Sequence, residues 1–241
     1  MWQDVFGIEL EKFRREHEQG QQFFFSYLTI RTFAYDDPKV LQWLNRAPLL
    51  AKTVDYALLK ATFVALGRIF DRNGRHNINV LLQVGRENIN LFSLDALAER
   101  KRQIGLTEDE IAEYVSDRYV PSASDFDDLE KQVETWRAIY NPRYKDVRDK
   151  IFAHNVYSTI EEINALLEKT DVEELRGIFG FLQGLHSALH QLHVNGIQPE
   201  IRSRVFLRAT RISPGSKMQG HDPADILVRE ISALLDDLSA G

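Results

Sequence analysis

Apolar side chains recur along this chain at spacings of three and four, and the strict alternation that marks a half-buried strand is scarce. The clearest run is Phe126, Leu129, Val133, Trp136 and Tyr140, one stripe of an amphipathic helix. Residues 2–33 carry Val5, Ile8, Phe13, Phe23, Tyr27 and Ile30 on a similar pattern. Gly20 lies in their middle and, as a helix-weakening residue, predicts a break into two helices. The segment 49–71 has apolar residues nearly all round: Leu50, Val54, Leu58, Phe63, Leu66, Ile69 and Phe70. That is the pattern of a helix central to a bundle. Ile226, Leu227, Ile231, Leu234 and Leu238 predict a last helix.

The boundaries come from capping and turn residues. Asp37-Pro38 opens a short helix through Val40, Leu41 and Leu44, because proline is tolerated in a first turn. Asn73-Gly74 is a turn signal, and Asn77, Ser93 and Thr107 are placed to cap the helices that follow. Thr107 with Glu110, Thr159 with Glu162 and Thr170 with Glu173 have capping-box spacing. Pro121 and the serines after it mark a loop. Asn141-Pro142 is predicted to stop one helix and start another, with Asn141 as cap and Pro142 in the first turn. A helix over about 171–195 ends at Asn195-Gly196, and Asp222-Pro223 opens the last one. Residues 197–221, with the stretch "EIRSRVFLRATRI", fit a strand, an irregular arm or a helix equally well. No internal repeat or low-complexity linker interrupts the chain. The pattern predicts one all-α domain over 1–241 with peripheral helices.

Composition narrows the chemistry. A chain of 241 residues buries roughly 70–75% of its unfolded surface in one core, so it needs no metal or disulfide for stability. Cysteine is absent, which excludes disulfides, thiolate nucleophiles and cysteine-held metals. Net charge is −6, so any nucleic-acid contact must be local rather than spread over a basic surface. The stretch "MWQDVFGIEL" lacks the basic and apolar regions of a signal peptide. The most apolar stretch is interrupted by Asp55, Lys60 and Arg68, which argues against a membrane span. The simplest expectation is a cytoplasmic protein of bacterial type.

Candidate chemistry concentrates at residues 148–155, "RDKIFAHN". Tyr140, Tyr144, Val147, Ile151 and His154 continue the three-four spacing, so His154 falls where the apolar stripe would place another leucine. Arg148 lies at the edge of that stripe. In one ideal helix six residues separate Arg148 from His154 by about 9 Å of rise, too far for a tight pair. Arginine's reach narrows the gap, and a symmetric partner presenting the same helix would close it.

Arg148, a following polar Asp149, and His154 after an interval of four to six residues resemble the signature of the HEPN superfamily (higher eukaryotes and prokaryotes nucleotide-binding). The surrounding "YKDVRDKIFAHN" and the upstream "ALGRIFDRNGRHNINVLL" resemble its abortive-infection, AbiU-type branch. The resemblance is read over much of 45–195, which it makes the core, with the N-terminal helices 2–44 and a C-terminal basic arm plus helix, 197–241, as additions. It implies a bundle of about four core helices that dimerises and brings two Arg/His pairs into one cleft. It also implies a metal-independent endoribonuclease without cofactor, acting on single-stranded RNA as a toxin or abortive-infection effector, with an antitoxin protein as a further partner. The residue types suit that chemistry. An imidazole titrating near pH 6.5 can take the proton of a ribose 2′-OH. A guanidinium can hold two phosphate oxygens as charge builds on phosphorus. On this reading His154 is the general base or acid, Arg148 clamps phosphate, Asp149 orients one of them, and Asn155 positions the scissile phosphate. One departure is Tyr157, three residues after His154 where part of the superfamily carries a tyrosine at two. The competing reading is a non-catalytic helical dimerisation module that binds a protein or nucleotide through the same cleft.

Three further clusters are candidates for contact rather than catalysis. Arg72, Arg75 and His76 in "DRNGRH" form either a phosphate-contacting loop or a solvated turn. Arg202, Arg204, Arg208, Arg211 and Lys217 make the one basic run, which reads as an RNA-guiding arm centred on Arg204 and Arg208, or as a solvated face. His186, His190 and His193 share one helical face at metal-competent spacing, but no carboxylate follows at i+3 or i+4, and no metal site is predicted. No phosphate-loop, HExxH or GxSxG pattern is present.

Overall fold

Gly20 does not break the first helix. The computed structural model describes residues 4–149, 170–206 and 223–240, and within them α1 runs unbroken over Val5–Asp36. It is followed by α2 (Pro38–Leu44), α3 (Pro48–Phe70), α4 (Ile78–Glu87), α5 (Leu94–Gln103), α6 (Glu108–Val115), α7 (Ala123–Tyr140), α8 (Val172–Asn195) and α9 (Pro223–Ala240). The described residues contain these helices and no strand, so the fold is all-α. A Cβ on Gly20 would sit 3.0 Å from the Phe179 ring and 3.2 Å from Ala65. The bare backbone therefore lets α3 and α8 close on α1, which offsets the roughly 1 kcal/mol that glycine costs in a helix.

α1 is a core helix, contrary to its expected place as an addition outside 45–195. Its inner face sends Phe6, Leu10, Phe13, Phe24, Phe25 and Leu28 into the main apolar cluster. The outer face carries ion pairs one turn apart, such as Arg15–Glu11 at 2.8 Å and Arg14–Glu18 at 2.6 Å. These charges dilute the apolar signal along the sequence and hide the buried stripe. The cluster is completed from α3, α4, α7 and α8, with α1, α3, α7 and α8 as its long helices. α9 adds Ala224 and Val228 to it. Leu235 packs with Phe33, Ala34 and Val40 in a small second cluster between α9, α1 and α2.

α3 also departs from expectation. Its C-terminal half is buried through Phe63, Leu66, Ile69 and Phe70, as a central helix should be. Its N-terminal half is not: Leu49 and Leu50 are 79% and 63% exposed, and Val54 and Tyr56 are exposed as well. With Tyr35, Leu41 and Trp43 from the end of α1 and from α2, they leave several large apolar side chains uncovered at this end of the molecule.

Local capping follows the sequence closely. The Asn77 side chain accepts from the backbone N–H groups of Asn79 and Val80, and that of Ser93 from Ala96. Thr107 and Glu110 form the reciprocal box. Gly196 ends α8 with φ at 59°, the left-handed conformation that favours glycine. The start of α8 is a correction: Asp171, not Thr170, caps it, accepting from the N–H groups of Glu173 and Glu174. Thr159–Glu162 lies outside the described residues.

Asn141-Pro142 does not stop the helix either. The chain leaves α7 and continues as a π-helical segment over Asn141–Lys145, with the wide hydrogen-bonding pattern recurring through residue 149. Proline lacks the N–H donor and crowds the carbonyl four residues back; widening the turn relieves both conflicts without breaking the rod. Tyr140, Tyr144 and Val147 are all buried, as the three-four spacing predicts. The Tyr144 hydroxyl donates to Glu174 at 2.8 Å, and Arg143 pairs with the same carboxylate, so the segment is held against the first turn of α8.

Residues 197–206 settle as an irregular extended arm. A Cβ on Gly180 would meet the Arg204 carbonyl oxygen at 2.3 Å, and one on Gly184 would meet that of Arg202 at 2.6 Å. The arm thus lies in a glycine groove on α8, and the Arg204 N–H donates to the Gly180 carbonyl at 3.0 Å. No helix among the described residues is long and apolar enough to cross a membrane.

Candidate active site

The π-helical continuation of α7 presents Arg148 to the C-terminal half of α3. Gly67 makes that approach possible. A Cβ there would lie 2.4 Å from Arg148 Cδ and 2.5 Å from its Nη1, so the guanidinium stem crosses α3 where a side chain is missing. Asp149 holds the other edge of the guanidinium, accepting from Nε at 2.6 Å and lying 2.5 Å from Nη2. Asp71, the residue that ends α3, is 3.9 Å from Nη1. Partial burial works against the charge of Arg148, but the hydrogen bond and charge of Asp149 outweigh it and hold the pKa above the ordinary arginine value. A permanently charged, oriented guanidinium at a solvent boundary is what phosphate recognition needs.

Arg148 stands between two cavities. The larger, about 600 Å³, also presents Lys12 and Arg15 from α1, Arg68 from α3, and Arg75 and His76 from the loop before α4. Glu16 and Asp71 are the acids on its wall. Most of its cations are tied to neighbouring carboxylates: Lys12 to Glu9 at 2.8 Å, Arg15 to Glu11 at 2.8 Å, and Arg68 to Glu16 at 3.1 Å. His76 Nδ1 lies 3.0 Å from Glu9 and 3.3 Å from Lys12. Arg75 is exposed and has no ion-pair partner among the described residues. The smaller cavity, about 260 Å³, lies on the other side of Arg148, among Arg72, Arg137, Tyr140, Asn141 and Lys145.

The fold therefore brings Arg148 and the "DRNGRH" loop to one place. Arg75 and His76 share the larger cavity with Arg148, while Arg72 shares the smaller one and pairs with Glu134 at 2.8 Å. Arg204 is elsewhere. It pairs with Asp225 at 2.6 Å and stacks over Phe206, and Arg202 pairs with Glu200 at 2.7 Å. The described part of the basic arm thus spends its charge inside the chain. His154, Asn155, Tyr157 and Arg208 lie outside the described residues, as do Arg211 and Lys217.

The three histidines of α8 serve different surroundings. His193 is buried against Phe6 and Phe92, and its Nε2 lies 2.9 Å from Asp4, tying the end of α8 to the cap of α1. Burial of Asp4 works against ionisation, but the hydrogen bonds from His193 and the Gly7 N–H outweigh it and lower its pKa. His186 stacks between His17 and His190, with ring centroids 5.3 and 5.9 Å away. Burial, aided by the His190 charge, pushes His186 down to about 4, and burial pushes His17 well below the ordinary histidine range. No group of three His, Asp or Glu among the described residues is arranged to hold a metal ion.

Sequence reasoning missed Gly67, Asp71, Tyr140 and Lys145 as site residues, together with the three α1 and α3 cations of the larger cavity. Gly67 left a readable signal, since an isolated glycine inside a helical pattern marks either a weak point or a close approach. The others depend on which helices meet, which local pattern does not carry.

No match to this chain was found among curated proteins or among solved structures. The family model for HEPN_AbiU2, described as AbiU2, matches residues 7–209. The match includes α1 and α2, which the sequence resemblance had left outside, and it agrees with the place of α1 in the core. This chain belongs to the AbiU2 family of HEPN domains.

Proposed function

We propose that this protein is a metal-independent endoribonuclease that cleaves single-stranded RNA and acts as an abortive-infection or toxin effector. The observation that carries the reading is the placement of Arg148. It is a charged guanidinium, pinned by Asp149 and admitted by Gly67, at the boundary of two cation-bearing cavities. The motif that contains it is the one by which the sequence resembles HEPN nucleases, and the family match spans that motif.

In the proposed reaction His154 takes the proton from a ribose 2′-OH, and the freed oxygen attacks the adjacent phosphorus. The bond from phosphorus to the 5′-oxygen breaks, and that oxygen receives a proton from the second His154 of the shared cleft, acting as general acid, so the proton taken from the 2′-OH is balanced by the one given to the leaving group. The products are a 2′,3′-cyclic phosphate and a 5′-OH. Arg148 binds the non-bridging oxygens and stabilises the charge that develops on them. Arg75, the cavity cation without an ion-pair partner among the described residues, guides the neighbouring backbone, and Asn155 helps position the scissile phosphate.

The active unit is a homodimer in which the Arg148/His154 pairs of two copies share one cleft, and an antitoxin protein is a further partner of that assembly. The uncovered apolar side chains of α2 and the first half of α3 support self-association, because large exposed apolar patches mark interfaces. The test compares wild type with Arg148→Ala and His154→Ala on unstructured RNA in EDTA. Cleavage by wild type that is lost in both folded variants is expected. Cleavage unchanged in both, or none by the wild type, would support the non-catalytic binding module instead.

A further inference from the structure

The smaller cavity is more than the back of the arginine. Its wall carries Arg72, Arg137, Lys145 and Arg148 as cations, with Asp71 as its acid. Glu134 sits behind it and pairs with Arg72 and Arg137, and Asp149 occupies one edge of Arg148. Two donors are left over. Lys145 is exposed and has no ion-pair partner among the described residues. The hydroxyl of Tyr140, whose side chain is 1% exposed, is buried there with the Arg148 guanidinium, itself only a donor, as its polar neighbour, so its own proton has no acceptor among the described residues. Buried hydroxyls are rarely left unsatisfied, and this one belongs to a ring fixed by stacking on Phe70 at 4.9 Å and Tyr144 at 6.2 Å. An immobile O–H and an unpaired ammonium, flanked by guanidinium groups, match a ligand made of acceptor oxygens with negative charge. Nucleobases alone do not supply that charge; a phosphate ester does. At about 260 Å³ the cavity is below the roughly 300–1,000 Å³ of pockets for drug-sized molecules, a scale that suits one phosphate with part of its sugar.

We infer that this cavity is a phosphate subsite, holding through Tyr140 and Lys145 the phosphate next to the scissile one on the RNA chain. The inference rests on the nuclease reading for the identity of the chain that supplies the phosphate. Arg148 then lies between successive phosphates and fixes the register of the strand, so the subsite selects a polynucleotide over a single nucleotide.

The experiment measures equilibrium binding of a single-stranded 2′-O-methyl oligoribonucleotide, which cannot form the attacking 2′-oxyanion. It uses the full chain as wild type, Lys145→Gln and Tyr140→Phe over a range of salt concentrations, with adenosine 5′-monophosphate and inorganic phosphate as separate probes. Each variant is expected to weaken oligonucleotide binding by about tenfold, the effect of one charge-assisted hydrogen bond. Lys145→Gln should also lower the slope of log affinity against log salt by about 0.7, one phosphate contact on a single strand, which a structural role would not do. Tyr140→Phe should leave the melting temperature close to that of wild type, because it removes a buried hydroxyl whose proton has no acceptor among the described residues. Oligonucleotide binding and salt slope unchanged in both variants would overturn the subsite while leaving the nuclease reading intact. Lys145-sensitive binding of the mononucleotide or of inorganic phosphate, without such sensitivity for the oligonucleotide, would overturn the assignment to RNA. Sensitive oligonucleotide binding by a protein that cleaves nothing would keep the subsite and remove the nuclease.

Discussion

Gly67→Ala separates the placement of Arg148 from the stability of the fold. The glycine sits inside α3, where its backbone is helical, so alanine should by itself gain about 0.5–1 kcal/mol of helix stability. The new Cβ, however, would lie 2.4 Å from Arg148 Cδ, where ordinary contacts begin near 3.4 Å. The arginine must withdraw by about 1 Å or take another rotamer, and either moves the guanidinium from its seat beside Asp149. A displacement of that size at a reacting centre costs on the order of 100-fold in rate. The expected result is a variant that melts at or slightly above the wild-type temperature and cleaves RNA about 100-fold more slowly. Wild-type cleavage by a folded Gly67→Ala protein would refute the claim that the seated guanidinium does the chemistry.

Three other outcomes follow from the packing, the buried histidines and the exposed face. Gly180→Val should destabilise the fold by about 1–3 kcal/mol in urea denaturation, because its Cβ would meet the rigid Arg204 carbonyl at 2.3 Å; an unchanged midpoint would show that the arm does not lie on α8. His186 and His17 are held neutral by burial, so between about pH 6.5 and 4 the unfolded chain binds protons that the folded one does not. Their contribution is therefore present at pH 7.5 and lost as pH falls through that window, by up to about 3 kcal/mol for His186, and His186→Gln should flatten the loss measured by denaturation at a series of pH values. Leu49→Asp with Leu50→Asp should convert a dimer into a monomer in sedimentation and abolish cleavage while the monomer keeps its helical content by circular dichroism, its melting temperature losing only the stabilisation that association supplies. A wild-type monomer would remove the shared cleft, and a double variant that remains dimeric would place the interface elsewhere.

Local instructions were legible in the sequence, and long-range meetings were not. The caps at Asn77, Ser93 and Thr107, the Pro38 start and the Gly196 stop were readable because each is decided by residues within a turn of one another. The burial of Tyr140, Tyr144 and Val147 followed from their period. Gly20 and Pro142 misled for one physical reason: a residue that weakens an isolated helix is tolerated when packing or a wider turn compensates. The exposed start of α3 was hidden because periodicity gives the apolar face of a helix but not whether a neighbour covers it. At the candidate site, Arg148 and Asp149 stand out in the sequence through their motif and the 72–76 loop through its charge. Gly67, Tyr140 and Lys145 matter only once α3 and the π segment meet.

The most direct measurement is the chemistry of the RNA ends produced in EDTA. Wild type is expected to leave 2′,3′-cyclic phosphate and 5′-OH termini, and folded Arg148→Ala protein none. Termini bearing 5′-phosphate, cleavage that stops when divalent metal is chelated, or undiminished cleavage by Arg148→Ala would contradict the nuclease reading.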